Sequence, residues 1–184
     1  MKDAVLVLDM TNDSIAQGAR SLEQRKKILG QTAAFLAWAR GKGRPVIHIC
    51  SSRRKTDKWF LKYWEAVNMV GTSGQAPIPQ LYDAATDAIV HKRRYSAFFA
   101  SDLDVTLREL DVAALTLLGW STSLAVLSTA LDAWQLGYPT TIVSDLTVAH
   151  AWANRSMEEN QQWSLDFMKA FAMSTITSSA ELMG

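Results

Sequence analysis

Thiols, prolines and histidines are scarce in this chain: its 184 residues hold one cysteine, four prolines and three histidines. The lone Cys50 cannot close an internal disulfide, so stability has to come from a hydrophobic core. No apolar run approaches the roughly 20 residues that a membrane helix needs. The apolar stretch before Asp9 is too short for a signal peptide, and a cytoplasmic location is the expectation. An excess of charge is lacking too. The formal net charge of +1 gives no strong field toward nucleic acid or an anionic membrane, and neither is an expected partner. Gly41, Gly43 and Gly119 do not have the spacing of a phosphate-cradling loop. No internal repeat, low-complexity tract or interdomain linker interrupts residues 1–184, which read as one domain.

What the chain does have is alternation. Ala4 to Leu8 is a continuous apolar run, the pattern of a strand buried on both faces. Leu22, Leu29, Thr32, Leu36 and Ala39 then recur at helical spacing, and Gly41, Gly43 and Pro45 end that helix. Further strands are expected at Val46 to Cys50, Ala88 to His91, Ala113 to Leu118, Thr140 to Val143 and Thr175 to Thr177. Helices are expected at Leu103 to Leu110 (capped by Asp102), from Thr122 or Ser123 to Leu136, and at Met157 to Phe171. Strands alternating with helices imply an α/β fold: a three-layer αβα sandwich around a doubly wound, mainly parallel, Rossmann-like sheet of about six strands. Ser51 to Gln80 is a long irregular connection, with a short helix expected at Lys58 to Val67. It carries Trp59, Phe60, Tyr63 and Trp64 among charged residues. These aromatics suit a pocket wall or a contact between subunits.

In such sheets ligands bind beyond the carboxyl ends of the strands. That rule singles out Asp9, Cys50, Lys92, the segment from Gly119 and Asp145. Asp9 ends a strand, where a carboxylate must be paired; it serves either catalysis or the fixing of a loop. Lys92 is either a surface charge or, beside Asp9, part of a proton relay. The segment Gly119 to Ala125 is a strand, a turn and a helix start. Free backbone N–H groups there suit a developing oxyanion, although an ordinary tight turn has the same sequence signature.

Taken in order, three segments resemble the isochorismatase-like hydrolase superfamily, in its cysteine hydrolase or amidohydrolase branch. They are Val7-Leu8-Asp9-Met10-Thr11-Asn12-Asp13, Lys92 to Phe98 with Asp102-Leu103, and Gly119 to Thr122 with Ser128 to Ala133 and Gly137-Tyr138. Gly71 to Gly74, Ser144-Asp145 and Thr175 to Thr177 match the remaining loops and tail. The resemblance implies a hydrolase of small amides or other C–N bonds, with Asp9 and Lys92 catalytic. It also implies a cis peptide at Trp120–Ser121. The substrate would be a small molecule, held by Trp120, Ser121, Leu124 and Phe98, and the backbone of Leu124 and residue 125 would receive the oxyanion. A homo-oligomer, dimer or tetramer, is implied as well. Apart from the resemblance, the residue types of the long connection suit Trp64 to the pocket wall and Arg53 or Arg54 to pairing with a substrate carboxylate. A metal site of the nicotinamidase kind needs an Asp-x-His pair after the second strand. Cys50-Ser51-Ser52 stands there instead, and no metal or other cofactor is expected.

The departure from the pattern is at Ala125, which occupies the position of the nucleophilic cysteine. Three readings follow. A cysteine has been replaced, leaving an inactive form that binds without turnover; or the chain is a thiol-free, isochorismatase-type vinyl ether hydrolase using Asp9; or it is a non-catalytic small-molecule binding protein.

Overall fold

The structure, a computed structural model, describes residues 2–16 and 21–184. Its centre is a sheet of six parallel strands in the order β3-β2-β1-β4-β5-β6. These are β1 (Lys2–Leu8), β2 (Val46–Ser51), β3 (Ala88–Lys92), β4 (Val112–Trp120), β5 (Thr140–Val148) and β6 (Thr175–Thr177). The helices are α1 (Asn12–Ala16), α2 (Leu22–Gly41), α3 (Lys58–Leu61), α4 (Leu103–Glu109), α5 (Leu127–Gln135), α6 (Met157–Phe171) and α7 (Ser179–Met183). The order reverses between β1 and β4, which start on opposite sides of the winding. That reversal opens a crevice at the carboxyl ends of the central strands.

The apolar run of β1 is continuous because each face of the sheet has its own core. Ala4, Leu6 and Leu8 join Ile47, Ile49, Leu115 and Leu117 beneath α4, α5 and α6. Val5 and Val7 point the other way, onto Phe35, Leu36 and Ala39 of α2 and Leu182 of α7. The α2 start is fixed by a capping box between Ser21 and Gln24, and that of α6 by one between Ser156 and Glu159. No helix among the described residues is long and apolar enough to cross a membrane.

Among its elements the structure differs from the sequence expectation at α4, at α3 and in the lengths of the central strands. Asp102 makes no side-chain cap bond to α4. The expected helix from Lys58 to Val67 is only one turn, α3; beyond it the chain bends so that Phe60 and Trp64 stack on each other and both meet the Tyr95 ring edge to face. The central strands also run longer, to Trp120 and Val148. Between them the register jumps from Leu117↔Ile142 to Gly119↔Thr147, so β5 bulges beside the crevice.

Gly119 permits that close packing. Its φ is 115°, and a Cβ there would lie 2.1 Å from the Leu8 carbonyl oxygen. Gly137 also has positive φ, at 85°, but a Cβ there meets nothing within 4 Å. Gly119→Ala should therefore destabilise the fold by about 3 kcal/mol or more, from strain and overpacking together. Gly137→Ala should cost about 1 kcal/mol, from backbone strain alone. Urea denaturation of both variants checks this, and equal losses would contradict the packing argument.

Candidate active site

Four adjacent strands deliver the site. Register places Ser51 opposite Lys92 at the ends of β2 and β3, and Leu8 opposite Gly119 at the ends of β1 and β4. Asp9 follows β1 directly. Its N–H still donates to the Ile49 carbonyl (2.9 Å), and a φ of 51° then turns the chain away from the sheet. Asp Oδ1 accepts from the Ser51 N–H at 3.0 Å, and Oδ2 meets Lys92 Nζ at 2.7 Å.

The Lys92 side chain is only 1% exposed, which excludes the surface-charge reading. An ammonium has three donors, and three acceptors surround it: Asp9, Ser51 Oγ at 3.2 Å and the Arg94 carbonyl at 2.9 Å. A buried charge persists only when it is both neutralised and hydrogen-bonded, and Lys92 has both.

On the other side of Asp9 the chain leaves β4 through a cis peptide, Trp120–Ser121. One turn of π-helix, Thr122–Val126, leads into α5. No hydroxyl caps this turn. The Thr122 hydroxyl instead donates to Gln161 Oε1 at 2.7 Å. That amide also accepts from the Ala149 N–H (2.9 Å) and donates to the Ser144 carbonyl (3.2 Å) and Thr147 Oγ1 (2.9 Å). Gln161 thus ties the turn to the β5 bulge. Nothing in the sequence marked it, since a glutamine on an amphipathic helix is ordinarily a solvent residue.

Asp9, Lys92, Trp64, Trp120, Ser121, Leu124 and Ala125 all line one cavity of about 360 Å³. Ala125 is buried, 2% exposed. Trp120 and Ser121 line the cavity, while Trp120 Nε1 and Ser121 Oγ themselves are buried without a hydrogen-bond partner in the protein. The Leu124 N–H donates to the Ser121 carbonyl at 3.2 Å. Leu124 is therefore a wall residue rather than the open oxyanion donor that the resemblance implied.

The connection after β2 closes the cavity. Asn68 pins it: its N–H donates to Asp13 Oδ2 (2.7 Å) and its Oδ1 accepts from Thr11 Oγ1 (2.8 Å). This brings Arg53, Phe60, Tyr63 and Trp64 to the wall. Arg54 is not on it. Arg53 pairs in extended conformation with Met69, so its neighbour's side chain points oppositely, into solvent. Phe98 is also elsewhere, stacked on Tyr138 at 5.9 Å and packed on the core beneath the helices, where an apolar ring buries more surface. Ser51, Tyr95 and His150 line the cavity without having been marked by the sequence. Only Ser51 left a trace, as the residue after a strand-ending cysteine.

His48 is a core histidine, its Nε2 3.1 Å from Asp87 Oδ2, and burial holds its pKa below the usual imidazole range. Among the described residues no three His, Cys, Asp or Glu side chains come together as a ligand set for a metal. Cys50 is 1% exposed and is not among the cavity-lining residues. Burial, and then the charge of Asp9, push its thiol up to about 12. The folded protein should therefore not react with Ellman's reagent at pH 8, while the urea-unfolded chain should release one equivalent of thionitrobenzoate. Rapid labelling of the folded protein would contradict this burial.

Comparison with known proteins extends over the whole domain. The Isochorismatase domain matches residues 3–181. N-carbamoylsarcosine amidase from Thermoplasma acidophilum superposes with a TM-score of 0.84 at 26% identity, covering 100% of both chains. Nicotinamidase from Escherichia coli (strain K12) is 26% identical over 172 residues, 77% of this chain and 81% of that protein. A "probable inactive nicotinamidase" of Arabidopsis thaliana is 29% identical over 157 residues, 79% of this chain and 80% of that one. With its sheet, its crevice and a match spanning nearly its whole length, the chain belongs to the isochorismatase family of hydrolases.

Proposed function

We propose that this site is built to hydrolyse a small amide or related C–N bond through a nucleophile at position 125, and that with Ala125 the chain binds its substrate without turning it over. The observation that carries this reading is the Asp9–Lys92 pair, 2.7 Å apart and on the same cavity wall as Ala125. Two of the similar proteins, an N-carbamoylsarcosine amidase and a nicotinamidase, support the substrate class, and the "probable inactive nicotinamidase" supports an inactive form.

With cysteine at position 125 the steps are as follows. Asp9 takes the thiol proton and the sulfur attacks the carbonyl carbon. Asp9 then gives that proton to the leaving nitrogen as the C–N bond breaks. Water, deprotonated by Asp9, hydrolyses the resulting thioester and regenerates the thiol. Lys92 compensates the carboxylate's charge and fixes its orientation throughout.

A second reading rests on the absence of a cysteine from the cavity wall. Cys50 lies in the core, and Asp9 alone is the acid of a thiol-free vinyl ether hydrolase.

Ala125→Cys should release ammonia from members of a panel of primary amides and ureido compounds. Asp9→Asn in that background should lower the rate by about 10²-fold or more, the usual size of a general-base effect. A folded Ala125→Cys protein that is inert across the panel, while the unaltered chain cleaves a vinyl ether, would replace the amidase reading with the thiol-free one.

A further inference from the structure

Charge on the cavity wall is lopsided. Among the described residues five cationic side chains line it, against two carboxylates, Asp9 and Glu65, in a chain whose net charge is +1. Two of the cations are committed: Lys92 to Asp9, and Arg93 to Asp57. Arg53 is different. No carboxylate among the described residues lies within ion-pair distance of its guanidinium.

Yet Arg53 is held firmly. Its N–H donates to the Asn68 carbonyl (2.9 Å) and its carbonyl accepts from the Val70 N–H (2.9 Å). The guanidinium lies over the Phe60 ring, with Cζ 4.2 Å from the centroid, and Nη1 donates to the Val67 carbonyl at 3.2 Å. Burial opposes its charge, while Asp9, Asp13 and Asp57 favour it from beyond contact range. All three of those carboxylates are already occupied: Asp9 by Lys92 and Ser51, Asp13 by the Asn68 N–H, and Asp57 by Arg93 and the Arg54 N–H. A planar group with five donors, one of them spent inside the protein, is thus fixed by stacking beside the reactive pair.

We propose that the substrate carries a carboxylate, which Arg53 binds at its guanidinium edge while the scissile amide lies against Asp9 and position 125. This deepens the amidase reading and rests on it for the reacting end of the molecule. A carboxylate presents two coplanar oxygens, the acceptor set that a guanidinium fork fits. Phe60 and Trp64 line the wall near Arg53 and cover the link between the two ends. A cavity of about 360 Å³ admits both ends only if the substrate is small. The class is therefore short acids bearing a terminal amide or ureido group, rather than neutral amides.

The test uses two matched pairs: succinamate with succinamide, and N-carbamoylglycine with its amide. Calorimetric titration of the unaltered chain should show each acid bound at least tenfold more tightly than its neutral partner. Raising salt should erode that difference and leave the neutral ligands unaffected. Arg53→Gln should weaken the acids by roughly 10- to 100-fold, the range of a hydrogen bond to a charged group, and spare the neutral amides. Lys55→Gln, at an exposed position, should change neither. Equal affinity within each pair, or no binding of either acid, overturns the proposal on the unaltered chain, whatever Arg53→Gln does to folding. Equal loss for acids and neutral amides in a folded Arg53→Gln protein overturns it too. The Ala125→Cys protein separates this idea from the one beneath it. Hydrolysis without preference for the acids leaves the amidase reading and removes the carboxylate. Selective binding of the acids with no hydrolysis leaves the Arg53 site and removes the amidase.

Discussion

The contact between Asp9 and Lys92 is the constraint around which the rest of the site is arranged. A lysine side chain with 1% exposure cannot be left without a counter-ion. Removing one partner of such a pair typically costs about 3–5 kcal/mol, because the other charge stays behind uncompensated. The fold therefore spends several elements on keeping the pair together. Parallel pairing of β1, β2 and β3 brings the two strand ends into register. A left-handed turn at Asp9 aims its carboxylate sideways. Ser51 serves both partners, its N–H donating to Asp9 and its hydroxyl accepting from Lys92.

The fourth strand end adds what the ion pair lacks. Gly119 lets β4 pass within contact of Leu8, so the turn at Trp120 and Ser121 lands beside the carboxylate. Gln161 then holds that turn to the β5 bulge through Thr122. The long connection after β2 folds over the top, pinned through Asn68, and walls the cavity with aromatic rings and Arg53. Charge and apolar wall are thus collected from segments far apart in the chain, a distribution suited to holding one small, oriented molecule.

Much of this was readable in the sequence, for definable reasons. β1 is legible because burial on both faces demands five consecutive apolar residues, Ala4 to Leu8, and few other structures do. Asp9 and Lys92 are legible because polar residues at the ends of such strands fall on the crevice by topology alone. Trp120, Ser121, Leu124 and Ala125 reach the cavity, as the ordered motifs implied, and so does Trp64, as the aromatic connection after the second strand suggested. Where the reading failed, the deciding information was not local. Whether Arg53 or Arg54 faces inward depends on the pairing of Arg53 with Met69, a long-range event. Phe98 is drawn to Tyr138 by core packing, although it closes the lysine segment. Gln161, Ser51 and Tyr95 are common residue types without a pattern, and only the assembled fold gives them a role.

Under the proposed function, catalysis happens where Asp9, Lys92 and position 125 meet. The most direct measurement is a crystal structure of the unaltered chain soaked with succinamate. The ligand's amide carbonyl carbon should sit over the Ala125 methyl group, with its nitrogen within hydrogen-bond reach of Asp9 and the Asp9–Lys92 contact preserved. A ligand bound outside this cavity, or bound within it with the amide turned away from both Asp9 and Ala125, would contradict the account.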